Sequence, residues 1–116
     1  MPNQFGSTKQ FIVAQADLGG VIRFFETSFS HLLKLAPGEL MGKRVSDITE
    51  PKFRPVSGVM FDNAVRTGIG YSIEKAFCDA DGSEIPALVH VSVLRDGRMS
   101  PEAVVALIQP RCRWST

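Results

Sequence analysis

The spacing of apolar residues changes character twice along this chain. Phe11-Ile12-Val13-Ala14 is a continuous apolar run suited to a strand over about 10–16, and Val21-Ile22-Arg23-Phe24-Phe25 is a second β-branched and aromatic run. Between them Asp17-Leu18-Gly19-Gly20 supplies turn chemistry, so the two runs predict a hairpin. Phe25, Phe29, Leu32, Leu33 and Ala36 then recur at helical spacing, which predicts a short helix over about 27–35 with Thr27 as its N-cap. Pro37 stops that helix and opens a turn over 38–41, which Gly42 breaks. Val45, Ile48 and Phe53 are isolated apolar residues punctuated by Pro51 and Pro55, a pattern that suits another single helical turn.

Val56, Val59, Met60 and Ala64 share one face of a longer helix over about 55–66, with Gly68 at the left-handed position after its end. Three strand-like runs follow, over about 71–79, 84–95 and 103–110. Asp81-Gly82 marks a tight hairpin between the first two; Asp96-Gly97 and Pro101 mark a longer connection to the third. Pro86 stands near the start of its run, where a strand tolerates it. The last two runs do not alternate cleanly. One parity of 87–94 carries Ala87, Val89, Val91 and Val93, and the other Leu88, His90, Ser92 and Leu94; both parities of 103–108 are apolar. A sheet with one wet face should alternate, so both faces of this end of the sheet are expected to be covered. The expected core includes Phe29, Leu33, Val59, Met60, Val89, Val91 and Leu107, and Phe11, Phe24, Phe25, Phe53 and Phe61 also read most simply as core.

Bulk composition narrows the function classes. With 116 residues the chain can build one core, and 44% hydrophobic with 22% charged residues is ordinary for a globular protein. A net charge of +1 gives no footprint for direct nucleic-acid binding, and no apolar run is long enough to span a membrane. Residues 1–10 lack the apolar stretch of a signal peptide, so a cytoplasmic location is the default expectation. Cys78 and Cys112 are far apart, with no Cys-x-x-Cys pair and no adjacent His; they read as small reduced thiols, and no metal site is expected.

The landmarks in order are Asp17 to Gly20, Pro37-Gly38-Glu39-Leu40-Met41-Gly42-Lys43, Gly68, and Ala80-Asp81-Gly82-Ser83. At these spacings, over about residues 10–110, the chain resembles a PAS domain, the sensory module of bacterial kinases, chemoreceptors and transcription regulators. The resemblance implies an α+β fold: a five-stranded antiparallel sheet in the order 2-1-5-4-3, with short helices and one longer helix on one face. It also implies a ligand or cofactor cavity between the long helix and the sheet, for which Phe25, Glu26, Phe29, Leu33, Val59, Met60 and Val91 are the candidate residues. Family members often dimerise through the outer sheet face; here Leu88, His90, Leu94, Val104 and Ile108 are the candidates for that contact. Residues 1–9 then form a lead, 10–111 the sensor domain, and 112–116 a tail or the start of a linker to an output domain.

The chain departs from several family patterns. Glu26 stands where many members carry Asn, and Asp47-Ile48-Thr49-Glu50 lies where flavin photosensors place their reactive Cys. No His occurs between Phe53 and Gly68, where haem-binding members commonly supply one, and Ile108-Gln109-Pro110-Arg111 replaces the common Asp-Ile-Thr end of the last strand. The cofactor, if any, is left open. His31 reads as a surface residue and His90 as a satisfied sheet histidine or a ligand. Glu26 could hydrogen-bond a ligand or clamp the start of the helix. Asp79 and Asp81 fit a turn better than acid/base catalysis, and no catalytic residue is assigned. Two expectations stay open: a ligand-binding sensor that signals to a partner, and a ligand-free dimerisation module.

Overall fold

Both hairpins form where the turn residues place them. In the computed structural model, which describes residues 11–111, strands β1 (Ile12–Ala16) and β2 (Ile22–Phe25) flank the Asp17–Gly20 turn. The Asp17 carboxylate accepts the Gly19 and Val21 backbone N–H groups, each at 2.9 Å, and Gly20 takes φ +85°. Those hydrogen bonds, the Val21 one foremost, hold the Asp17 carboxyl below its ordinary pKa. At the second hairpin the buried Asp79 side chain accepts the N–H groups of Asp81 and Ser83, which is the turn role expected of it.

Helix α1 (Thr27–Leu33) begins one residue earlier than a Thr27 cap requires: Glu26 occupies the N-cap position, and its side chain does not cap the helix. Its carboxylate instead accepts the Val13 N–H at 2.8 Å, while the Glu26 N–H donates to the Val13 carbonyl at 3.0 Å. Glu26 thus ties the residue just before α1 to strand β1, a contact with the strand and not the clamp on the helix start expected of it. Helix α2 (Pro37–Leu40) and two 3-10 turns, Val45–Ile48 and Pro51–Phe53, lead into helix α3 (Arg54–Thr67). Gly68 ends α3 at φ +76°.

Strands β3 (Tyr71–Cys78), β4 (Glu84–Arg95) and β5 (Pro101–Pro110) complete a five-stranded antiparallel sheet in the order β2-β1-β5-β4-β3. Register sets the faces. Val89 pairs with Ile108, Val91 with Ala106 and Val93 with Val104; across the next seam Ile12 pairs with Ile108 and Ala14 with Ala106. Because side chains alternate with period two, this parity faces the helices as one continuous apolar sheet.

That register overturns part of the expected assignment. Val104 and Ile108, expected at the outer contact, are 4% and 1% exposed and belong to the core, whereas Leu107, expected in the core, is 39% exposed on the outer face. Both parities of β5 are apolar, so periodicity could not choose between them; pairing with β4 decides. Leu88, His90 and Leu94 do stand on the outer parity. Phe11 and Phe24 are surface residues rather than core, and Phe11 tilts against the His90 ring with centroids 6.1 Å apart. Cys78 is a free thiol, and burial is the foremost cause raising its pKa; Cys112 lies outside the described residues.

Helix α3 also turns a different face inward. Val59 is 69% exposed and Val56 is exposed as well, while Ser57 and Ala64 are buried and Phe61 and Val65 pack against the core. The inward face of this helix thus mixes the small Ser57 and Ala64 with Phe61 and Val65, and its outward face carries Val56 and Val59.

Candidate functional site

Beneath α3 the helix layer does not close down on the sheet. A cavity of about 210 Å³ remains between α3, the turn Val45–Ile48 and the inner sheet face. Its floor is apolar, with Val89, Val91, Val104, Ala106 and Ile108 contributed by β4 and β5. Its roof is Ser57, Gly58 and Phe61 of α3, and exposed Arg44, Arg54 and Asp62 stand at the rim. Small residues at this point of the roof keep the space open: a bulky apolar stripe at 57–58 would fill it.

One charged side chain enters this interior. On β3, Tyr71, Ile73, Lys75 and Phe77 share the inward parity, opposite Val91, Val89, Ala87 and Ile85 of β4. Lys75 is therefore carried to the middle of an apolar row, where only 3% of it is exposed. Its ammonium donates to the hydroxyls of Thr49, at 3.3 Å, and Ser57, at 3.1 Å, and lies 5.0 Å from the centroid of the Phe77 ring. Thr49 is oriented to accept because its own hydroxyl donates to the Val45 carbonyl at 2.8 Å. No carboxylate among the described residues pairs with Lys75. Burial alone pulls its pKa from 10.5 down to about 8. Tyr71, on the same row and also lining the cavity, is pushed up to about 12 by burial and then by the Asp62 charge, so its phenol stays protonated.

Of the residues expected at the site, Phe29 and Val91 line the cavity. Leu33 is fully buried but packs in the core away from the cavity wall, and Phe25 also packs against the core without lining it. Glu26 is engaged with β1 as described above. Val59 and Met60 lie on the outer side of α3, in a shallow groove with Asn63 and Arg66. The correction for both follows from the helix rotation that brings Ser57 and Phe61 inward. His90 stands on the outer sheet face with Nδ1 2.7 Å from the Ser72 hydroxyl, the satisfied sheet histidine of the two readings. Lys75, Ser57 and Thr49 escaped the reading of the sequence, although a lysine on the otherwise apolar parity Tyr71-Ile73-Lys75-Phe77 was visible as a mismatch.

A five-stranded antiparallel sheet with helices packed on one face over a small cavity defines a class of compact α+β domains built around an interior site. The PAS domain family model matches residues 10–109, and the chain belongs to that family. Solved structures agree on the fold. A light-oxygen-voltage domain studied with a flavin analogue superposes with a TM-score of 0.78 at 17% identity, over 90% of this chain and 79% of that one. A PAS domain from Colwellia psychrerythraea gives 0.79 at 13% identity, over 89% and 87%. The PAS-B domain of Drosophila melanogaster Cycle, with bound ethylene glycol, gives 0.78 at 11% identity, over 86% and 99%. No curated protein matches the chain. PAS domains are in general sensory modules, commonly dimerise, and sit in multidomain signalling proteins. Among the described residues no helix is long and apolar enough to cross a membrane.

Proposed function

We propose that this chain is the sensory module of a cytoplasmic bacterial signal-transduction protein, holding a small ligand or cofactor in the cavity under α3 and passing that event to a partner. The observation that carries the reading is the cavity itself: interior space of about 210 Å³ on an apolar floor with one buried polar cluster. Strand alternation supplies the link to the outside. Val89, Val91 and Ile108 touch the cavity, while their chain neighbours Leu88, His90 and Leu107 stand on the opposite sheet face. A ligand that displaces the inner row by tenths of an ångström moves the outer row with it, because both rows hang on the same hydrogen-bonded strand backbone. The module then acts through what covers that face, a second copy or an output domain such as a kinase, chemoreceptor or transcription regulator, and not as an enzyme. Native mass spectrometry and a visible spectrum of protein purified from its own host test this reading. A bound small molecule supports it, and bare polypeptide from every growth condition opposes it.

A specific observation favours a second reading, a dimerisation module that works without ligand. The outer face carries Phe11, Phe24, Leu94 and Leu107, each between 38% and 50% exposed. Apolar groups gathered on one sheet face typically mark an interaction site. The two readings diverge on whether mutations that fill the cavity alter self-association.

A further inference from the structure

We infer that the cavity is a carboxylate site: Lys75, with Ser57 and Thr49 fixing its ammonium, recognises the acid group of a compact organic acid whose apolar body lies on the Val89–Ile108 floor. The inference rests on the ligand-binding reading above and names the class of ligand.

Three observations converge on it. Lys75 is nearly wholly buried, yet among the described residues both its hydrogen-bond partners are neutral hydroxyls. An ammonium has three donors, and two are used, so one remains for an acceptor from the cavity. A buried charge normally carries an opposite charge beside it, because neutral dipoles alone do not repay the lost hydration. Here an anion from outside is the partner that would complete the set, through a short charge-assisted hydrogen bond.

The charges around the cavity point the same way. Arg44, Arg54 and Lys75 line it against a single acidic residue, Asp62. Among the described residues neither arginine forms an ion pair: Arg44 donates to the Gly19 carbonyl at 3.0 Å and Arg54 to the Thr49 carbonyl at 3.0 Å. A rim of that sign raises the local concentration of anions at the entrance. Size then selects within the anions. A cavity of about 210 Å³ is smaller than the roughly 300–1,000 Å³ of sites for drug-sized ligands. An aromatic or branched-chain monocarboxylate fits the volume, the apolar floor and the single buried cation together.

Matched pairs of neutral and acidic probes test it: benzoate against benzamide, phenylacetate against phenylacetamide, and 3-methylbutanoate against its amide. Binding is read by methyl NMR shifts at Ile48, Val91 and Ile108 in the wild-type chain, in Lys75→Met and in Lys75→Gln. The expected result is that at least one acid binds more than tenfold tighter than its amide. Both variants should lose that preference while keeping their dispersed spectra and the weaker amide binding. Amides that bind the wild type as well as the acids do would overturn the carboxylate assignment and leave the ligand-binding reading standing. Failure of every probe, acid and amide alike, to shift those methyls would count against both. Retention of the acid preference in Lys75→Met and Lys75→Gln would remove Lys75 from the site.

Discussion

Replacing Lys75 by Met should make the protein more stable, not less. The lysine pKa falls from 10.5 to about 8 on folding, entirely through burial. At about 1.36 kcal/mol per pH unit, that displacement corresponds to about 3 kcal/mol lost by keeping the ammonium inside at neutral pH. Methionine has a similar unbranched reach and no charge to desolvate. The gain is reduced because the Ser57 and Thr49 hydroxyls lose an acceptor role, worth about 0.5–1.5 kcal/mol each at most. The net expectation is a stabilisation of about 1–2 kcal/mol at pH 7, measured as a higher urea midpoint with an unchanged slope. The sign of the pH dependence is a second, independent check. Between about pH 8 and 10.5 the unfolded lysine holds a proton that the folded one has released, so this residue makes stability rise with pH across that window. Below pH 8 both states are protonated and its contribution is flat. The wild type should therefore gain on Lys75→Met by about 3 kcal/mol as pH climbs from 8 to 10.5, so that the difference closes and then changes sign. A variant destabilised by more than about 1 kcal/mol at pH 7, or a difference independent of pH, would show that Lys75 is not a buried cation lacking a counter-charge among the described residues.

Other substitutions separate the faces of the fold. Leu33→Ala, at a fully buried site, should cost about 2–5 kcal/mol in urea melts, while Val59→Ala should stay within about 0.5 kcal/mol because Val59 is largely exposed. Leu107→Asp should leave the fold intact and weaken any self-association seen by sedimentation over a wide concentration range, whereas Ile108→Asp, one residue on, should unfold the domain. Asp79→Ala removes the acceptor for two hairpin N–H groups and should cost about 1–3 kcal/mol, read by thermal denaturation.

Much of the fold was legible because local chemistry and long-range pairing agree. The Asp17 and Asp79 turns, the Gly68 stop and the strands over 71–78 and 84–95 each follow from a residue type suited to one backbone conformation. Strand order was carried by family resemblance rather than by the pattern of the residues. The site was less legible, for a physical reason. Pattern reading assumes that apolar residues seek the core, but an element that roofs a cavity needs small or polar residues inward. In α3 this reverses part of the signal: Val56 and Val59 belong to the visible stripe but are exposed, while Ser57 and Phe61 join Ala64 in facing inward. In β5 both parities are apolar, so only the pairing of Val89 with Ile108 shows which row is inside. Lys75 was missed for the opposite reason. A lone lysine in a strand is usually solvated, and its burial becomes evident only once β3 is placed beside β4 and under Thr49 and Ser57.

The most direct test of the central claim, that this PAS domain holds a small molecule under α3, is native mass spectrometry of host-purified protein beside an Ala106→Phe variant. Ala106 lies on the cavity floor, and a phenyl ring there occupies the space a ligand would use. The expected result is a non-covalent mass excess over the 12.7 kDa polypeptide in the wild type, released on denaturation and absent from a folded Ala106→Phe variant. An excess that survives in the filled variant, or a wild type that is bare polypeptide in every preparation, would contradict it.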